Sequence, residues 1–114
     1  MRTVIGEKKP SKYHNRKTLY NGIKFDSQKE ENRYRELELL ERGGYIRSLE
    51  LQPRYDFIVN GKKLKHYYKA DFRYEDITTG LLVVEDVKGF RTKDYRLKKE
   101  LVEALYGVEI REIT

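Results

Sequence analysis

Cysteine is absent from the 114-residue chain, which excludes disulfides and cysteine-held zinc. Histidine occurs only as His14 and His66, too few for most zinc sites. Any metal would therefore rest mainly on oxygen donors, the set that suits Mg²⁺ or Mn²⁺. No apolar run approaches the length of a membrane span, and no signal-peptide pattern is present. A cytoplasmic protein without a membrane partner is expected. Internal repeats and low-complexity tracts are lacking too, and nothing points to a small-molecule cofactor.

What the chain has is charge. Asp, Glu, Lys and Arg make up 39% of it, with a net charge of +6. The periodic recurrence of Leu, Ile, Val and Tyr argues for a folded chain rather than a disordered one. The length suits one domain with one core. A basic balance favours a polyanionic partner, nucleic acid before membrane.

The polar stretch 1–17 carries Lys8, Lys9, Lys12, Arg16 and Lys17 and reads as a flexible basic arm. It is either a bare terminus or a phosphate-binding tail. The expected domain is 18–114. Asn21-Gly22 is a two-residue turn signal inside a short hairpin, Thr18 to Phe25. Ser27 to Arg42 reads as a helix, with a capping box at Ser27 and Glu30 and a stop at Gly43-Gly44. Glu30 shares a face with Tyr34, Leu37 and Leu40 and so points inward, while Glu31 points elsewhere. A capping glutamate explains Glu30 without further function, and an acid aimed at a sheet edge remains compatible with it.

Tyr45 to Gln52 is irregular or a short strand. Arg54 to Val59, the Asn60-Gly61 turn and Lys62 to Tyr74 then form a second hairpin. On the returning strand Tyr68, Ala70, Phe72 and Tyr74 share one face. Lys69, Asp71 and Arg73 share the other, where a salt bridge to Lys69 or Arg73 is the plain alternative to a site role for Asp71. After the turn at Glu75 to Gly80, Leu81-Leu82-Val83-Val84-Glu85-Asp86-Val87-Lys88-Gly89 reads as a buried strand. Alternation puts Leu82, Val84, Asp86 and Lys88 on one face, with Leu81, Val83, Glu85 and Val87 on the other. An exposed pair of Asp86 and Lys88 is worth only about 0–1 kcal/mol, so a charged strand end is the plain alternative. The Asp71 and Asp86 strands should pair antiparallel. Thr92 then caps a helix over Lys93 to Tyr106 that is expected to bury Leu97, Leu101, Ala104 and Leu105. Its polar face carries Lys93, Arg96, Lys98 and Lys99. Val108 to Ile113 is a last strand.

An acid on one hairpin strand followed by acid-x-Lys on the next resembles the PD-(D/E)XK nuclease superfamily. Ala70-Asp71 stands at the Pro-Asp position, and Asp86-Val87-Lys88 is the triplet. Tyr20 to Ser27, Leu49-Glu50-Leu51-Gln52-Pro53 and Val84 to Gly89 are similar to a small phage-encoded branch related to Holliday-junction resolvases. The resemblance implies an α/β, restriction-endonuclease-like core, a central mixed sheet flanked by two helices. It also implies a homodimeric, metal-dependent DNA endonuclease acting in the cytoplasm of a bacterial host. Asp71 and Asp86 would hold Mg²⁺ or Mn²⁺, helped by Glu30 and the backbone carbonyl of Val87. Glu85 is a reserve ligand should a bulge re-aim it. Lys88 would orient or deprotonate water, or stabilise phosphate charge. Lys93, Arg96, Lys98, Lys99, Arg16 and Lys17 would contact DNA. A non-catalytic nucleic-acid-binding module on the same fold is the alternative. A structural or ribosome-associated protein would explain the charge but not the placement of the acids.

Overall fold

The computed structural model describes residues 16–88 and 91–114. Of the expected basic arm, only Arg16 and Lys17 fall among them, and Gly89 lies outside. Three short-range signals fold as their chemistry requires. Asn21 and Gly22 both take positive φ, as do Asn60 and Gly61, the pattern that closes two-residue hairpins. Strands β1 (Thr18–Tyr20) and β2 (Ile23–Phe25) flank the first turn. Ser27 caps helix α1 (Gln28–Arg42), its hydroxyl accepting the Glu30 amide at 3.2 Å.

Next come β3 (Ile46–Leu51), β4 (Arg54–Val59), β5 (Lys62–Lys69), β6 (Phe72–Asp76) and β7 (Leu82–Val87). Helix α2 (Lys93–Tyr106) and β8 (Ile110–Ile113) complete the chain. Four strands form a mixed sheet in the order β3-β6-β7-β8, with β7 and β8 parallel and the other pairs antiparallel. The parallel pair requires a crossover, which α2 provides. The chain is thus α/β, with two helices and a mixed sheet.

Period-2 alternation on β7 divides the interior into two cores. Val83 and Val87 join Phe72, Tyr74, Ile46 and Phe25 under Leu37 of α1. Val84 and Ile110 join Tyr95 and Val102 of α2, together with Tyr55, Phe57 and Tyr68 of the β4–β5 ribbon.

The expected continuous strand from Lys62 to Tyr74 is instead two strands broken at Ala70-Asp71. Pro53 is the reason. A proline has no N–H to give a ladder, and the chain leaves the central sheet at Gln52-Pro53. It returns at Ala70-Asp71, where Gln52 N–H donates to the Asp71 carbonyl (2.9 Å) and Ala70 N–H to the Pro53 carbonyl (3.1 Å). Tyr68 and Ala70 consequently face the α2 core, whereas Phe72 and Tyr74 face the α1 core.

The buried face of α2 also differs from expectation. Tyr95 and Val102 are buried and Leu101 is partly so. Leu97 is 56% exposed and Leu105 44%, and Ala104 is exposed as well. Leucine at helical spacing marked a face, but the bulkier Tyr95 and β-branched Val102 fill the space beside the ribbon.

Candidate functional site

Register brings the acids together. Phe72 pairs with Glu85, so one further step places Asp71 opposite Asp86 on the α2 side of the sheet. The Asp71 carboxylate accepts the Val87 N–H at 2.6 Å, and the Asp71 N–H donates to the Glu85 carbonyl at 3.0 Å. Asp71 thereby continues the β6–β7 ladder with its side chain. The plain alternative, a salt bridge to Lys69 or Arg73, does not form. Arg73 instead holds Glu50 in two hydrogen bonds and donates to the Tyr55 hydroxyl.

Asp86 is 2% exposed. It accepts the Tyr68 hydroxyl proton, and its other oxygen lies 3.2 Å from Lys88 Nζ. The Lys88 ammonium sits 4.6 Å from the centre of the Tyr95 ring, within cation–π reach. Tyr95 in turn donates to Glu112, which also takes Arg91. Desolvation and the nearby carboxylates raise the pKa of both tyrosines, so they act here as hydrogen-bond donors.

Glu30 enters from the first turn of α1, as its inward face predicted. Burial foremost, then the charges of Asp26 and Asp86, push its carboxyl up to about 7, against hydrogen bonding to the Asp26 backbone and the pull of Lys88. Burial also dominates at Asp71, with Asp86 and Glu30 adding to it. Together they raise it to about 8, although the Val87 amide pulls the other way. Three carboxyl groups, from α1, from the break between β5 and β6, and from β7, therefore sense one another, and Lys88 pairs with Asp86 and acts on Glu30. That is the signature of like charges crowded into a desolvated place. Among the described residues, no three acidic or histidine side chains are already gathered as a metal cage. Asp86 is turned to Tyr68 and Lys88, and Asp71 to the Val87 amide.

Glu85 is not re-aimed toward this cluster, because β6 and β7 pair without a register shift. It is fully buried on the α1 side. Arg33 grips it with Nε at 2.7 Å and Nη2 at 2.6 Å, and Tyr74 donates to it as well. The reserve-ligand reading of Glu85 thus has no geometric support. Glu31 is bound by Arg35 at 2.6 Å, away from the cluster.

Sequence reasoning missed Tyr68, Tyr74 and Arg33. Tyr68 was hidden by the crossing at Pro53, which was legible as a ladder breaker but not as a change of core. Arg33 lies one turn beyond Glu30 on α1, and its partner Glu85 is 52 positions away, so no local pattern pointed to it. Of the nominated DNA contacts, Lys98 pairs with Asp94 at 3.3 Å and Lys99 with Glu103 at 3.2 Å. Lys17 pairs with Asp26 at 3.2 Å. Lys93, Arg96 and Arg16 are exposed.

A family described as "Protein of unknown function (DUF1064)" matches residues 10–113. No curated protein and no solved structure matches the chain.

Proposed function

We propose that this chain, which belongs to the DUF1064 family, is a metal-dependent DNA endonuclease with a restriction-endonuclease-like core. The observation that carries the reading is the meeting of Asp71, Asp86, Lys88 and Glu30 at one end of the β6–β7 pair. This grouping supports the resemblance of the acid, acid-x-Lys order to the PD-(D/E)XK superfamily. The donor chemistry fits a hard dication. The three carboxyl groups are oxygen donors, and Asp71 and Glu30, raised first by burial and then by neighbouring carboxylates, are groups that a bound dication would favour in the ionised form.

A bound Mg²⁺ or Mn²⁺ supplies an activated water near neutral pH and neutralises charge on the phosphate. The chain's own residues do the rest. Asp71 and Asp86 would hold the ion, with the Val87 carbonyl and Glu30 as further oxygens. Lys88, steadied by Asp86 and the Tyr95 ring, orients the attacking water or meets the developing phosphate charge. Tyr68 fixes the rotamer of Asp86. Lys93 and Arg96 are within the basic surface that would meet phosphates. Resolution of a four-way junction takes two paired cuts, so a homodimer belongs to the proposal.

Labelled linear duplex, flap and four-way-junction DNA, incubated with Mg²⁺, Mn²⁺ or EDTA, test the reading. Wild type should cut in a divalent ion only, and Asp86→Asn and Lys88→Ala should not cut while remaining folded. Binding without cutting, unchanged in Asp86→Asn, would leave a nucleic-acid-binding module instead.

A further inference from the structure

We propose that the β4–β5 ribbon is the arm by which this chain grips duplex DNA, with Arg54, Lys63, Tyr67 and Lys69 lying against the sugar-phosphate backbone. The choice of partner rests on the DNA reading above, but cleavage plays no part in the argument.

Charge is the first observation. Residues 54–69 carry five cations, Arg54, Lys62, Lys63, Lys65 and Lys69, against one acid, Asp56. This one hairpin therefore contributes +4 to a chain whose net charge is +6. Helix α2 bears four cations and three acids, and two of its lysines are tied to acids one turn away. The ribbon, not the helix, concentrates positive charge.

Geometry is the second. Arg54 pairs with Lys69, Asp56 with Tyr67 and Ile58 with Lys63 across the ladder. Contacts fix these residues to one face, since Arg54 stacks 3.8 Å from the Tyr67 ring centre and both Arg54 and Lys63 reach Asp56. The opposite face anchors the base of the ribbon through Tyr55, Phe57 and Tyr68. Beyond that anchor every residue from Ile58 to Tyr67 is exposed. Among the described residues, no ion pair engages Lys62, Lys65 or Lys69.

Exposed Ile58, Val59, Leu64 and Tyr67 lie among these cations. Four apolar side chains grouped on one hairpin and rimmed by cations are the kind of patch that marks a contacting surface. A two-stranded ribbon fits the major groove of B-form DNA, and A-form RNA closes that groove to side chains. Tyr68 joins the ribbon to the acids, because its hydroxyl donates to Asp86. A duplex held on the ribbon thus lies beside the cluster.

The test is equilibrium binding of a labelled duplex in EDTA across a salt series, where no metal-dependent cleavage intervenes. The triple variant Lys63→Gln/Lys65→Gln/Lys69→Gln removes three exposed charges and is checked for an unchanged Tm. It should bind at least tenfold more weakly than wild type, with a salt slope smaller by about 2–3. The comparison triple Lys93→Gln/Lys98→Gln/Lys99→Gln on α2, where two lysines are already tied to acids, should weaken binding by a clearly smaller factor than the ribbon triple. An unchanged slope in the ribbon triple, an equal or larger loss in the helix triple, or preference for duplex RNA would overturn the proposal. Ribbon-dependent binding by a protein that cuts nothing keeps the arm and removes the endonuclease. Cutting with ribbon-independent binding does the reverse.

Discussion

Glu85 and Asp86 are neighbours on one strand, both buried, and they live under opposite electrostatic regimes. Glu85 faces α1, where one guanidinium and one phenol satisfy both of its oxygens. Arg33 stays charged in turn, since its hydrogen bonds to Glu85 strengthen its hold on the proton. Asp86 faces α2, where a phenol and one ammonium meet it while Asp71 and Glu30 crowd the same space. One side of the strand is balanced, and on the other the carboxyl groups outnumber the cations, so that burial and crowding make two of them hold their protons. A buried acid with a matched partner does structural work. A group of acids that outnumber their cations is where a ligand, a metal or a proton is missing from the sum.

The largest expected effect separates the two acids by activity. Asp86→Asn should reduce cleavage by about 10²–10⁴-fold, whereas Glu85→Gln, which keeps an acceptor for Tyr74, should leave the rate within about threefold. Equal losses in both would erase the distinction. On the stability axis the order reverses. Arg33→Met strands the buried Glu85 charge and should cost about 3–5 kcal/mol, read in urea melts. Adding Glu85→Gln to that variant should recover most of the loss, because no charge is then left unpaired.

Acidity should split the two sides as well. Asp71 and Glu30 hold their protons up to about 8 and about 7 in the folded chain, against roughly 4 when unfolded. Between those values the folded chain binds more protons than the unfolded one. Metal-free stability should therefore fall as pH rises from about 4 to about 8. Asp71→Asn should flatten that decline and melt above wild type at pH 8. Mg²⁺ or Mn²⁺ should raise the wild-type Tm more at pH 8 than at pH 5, and a Tm indifferent to both ions would argue against the site. The smallest change is expected at Glu30→Gln, a loss of about tenfold in cleavage, because Glu30 reaches the cluster from α1 whereas Asp71 continues the β6–β7 ladder through its bond to the Val87 amide.

Much of this was legible in the residues. The Asn-Gly turns, the Ser27 cap and the alternation on β7 rest on local chemistry, and local chemistry is what a sequence displays. The co-facing of Asp86 and Lys88, and the inward aim of Glu30, came from period alone. The partnership of Arg33 with Glu85 spans 52 positions, and no local pattern announces it. The switch of Tyr68 to the core opposite Phe72 depended on how a broken ladder bends, which Pro53 hints at but does not direct. On α2, leucine spacing misled because the sheet and ribbon offered their cavity to Tyr95 and Val102 instead.

The crossing at Gln52-Pro53 and Ala70-Asp71 has a kinetic consequence. The β3–β6 ladder is the outer continuation of the β4–β5 hairpin, so one hairpin is nested inside the other. Closing the inner turn at Asn60-Gly61 is a local event, on the order of microseconds for a hairpin. Once it forms, Leu51 and Phe72 are held a few residues apart rather than across an open loop, which removes most of the closure entropy from the pairing that follows. The chain should zip outward from Asn60 and set Asp71 in place only after the ribbon is made. Weakening that turn with Gly61→Val should therefore slow refolding of the whole sheet, and a stopped-flow trace would show it.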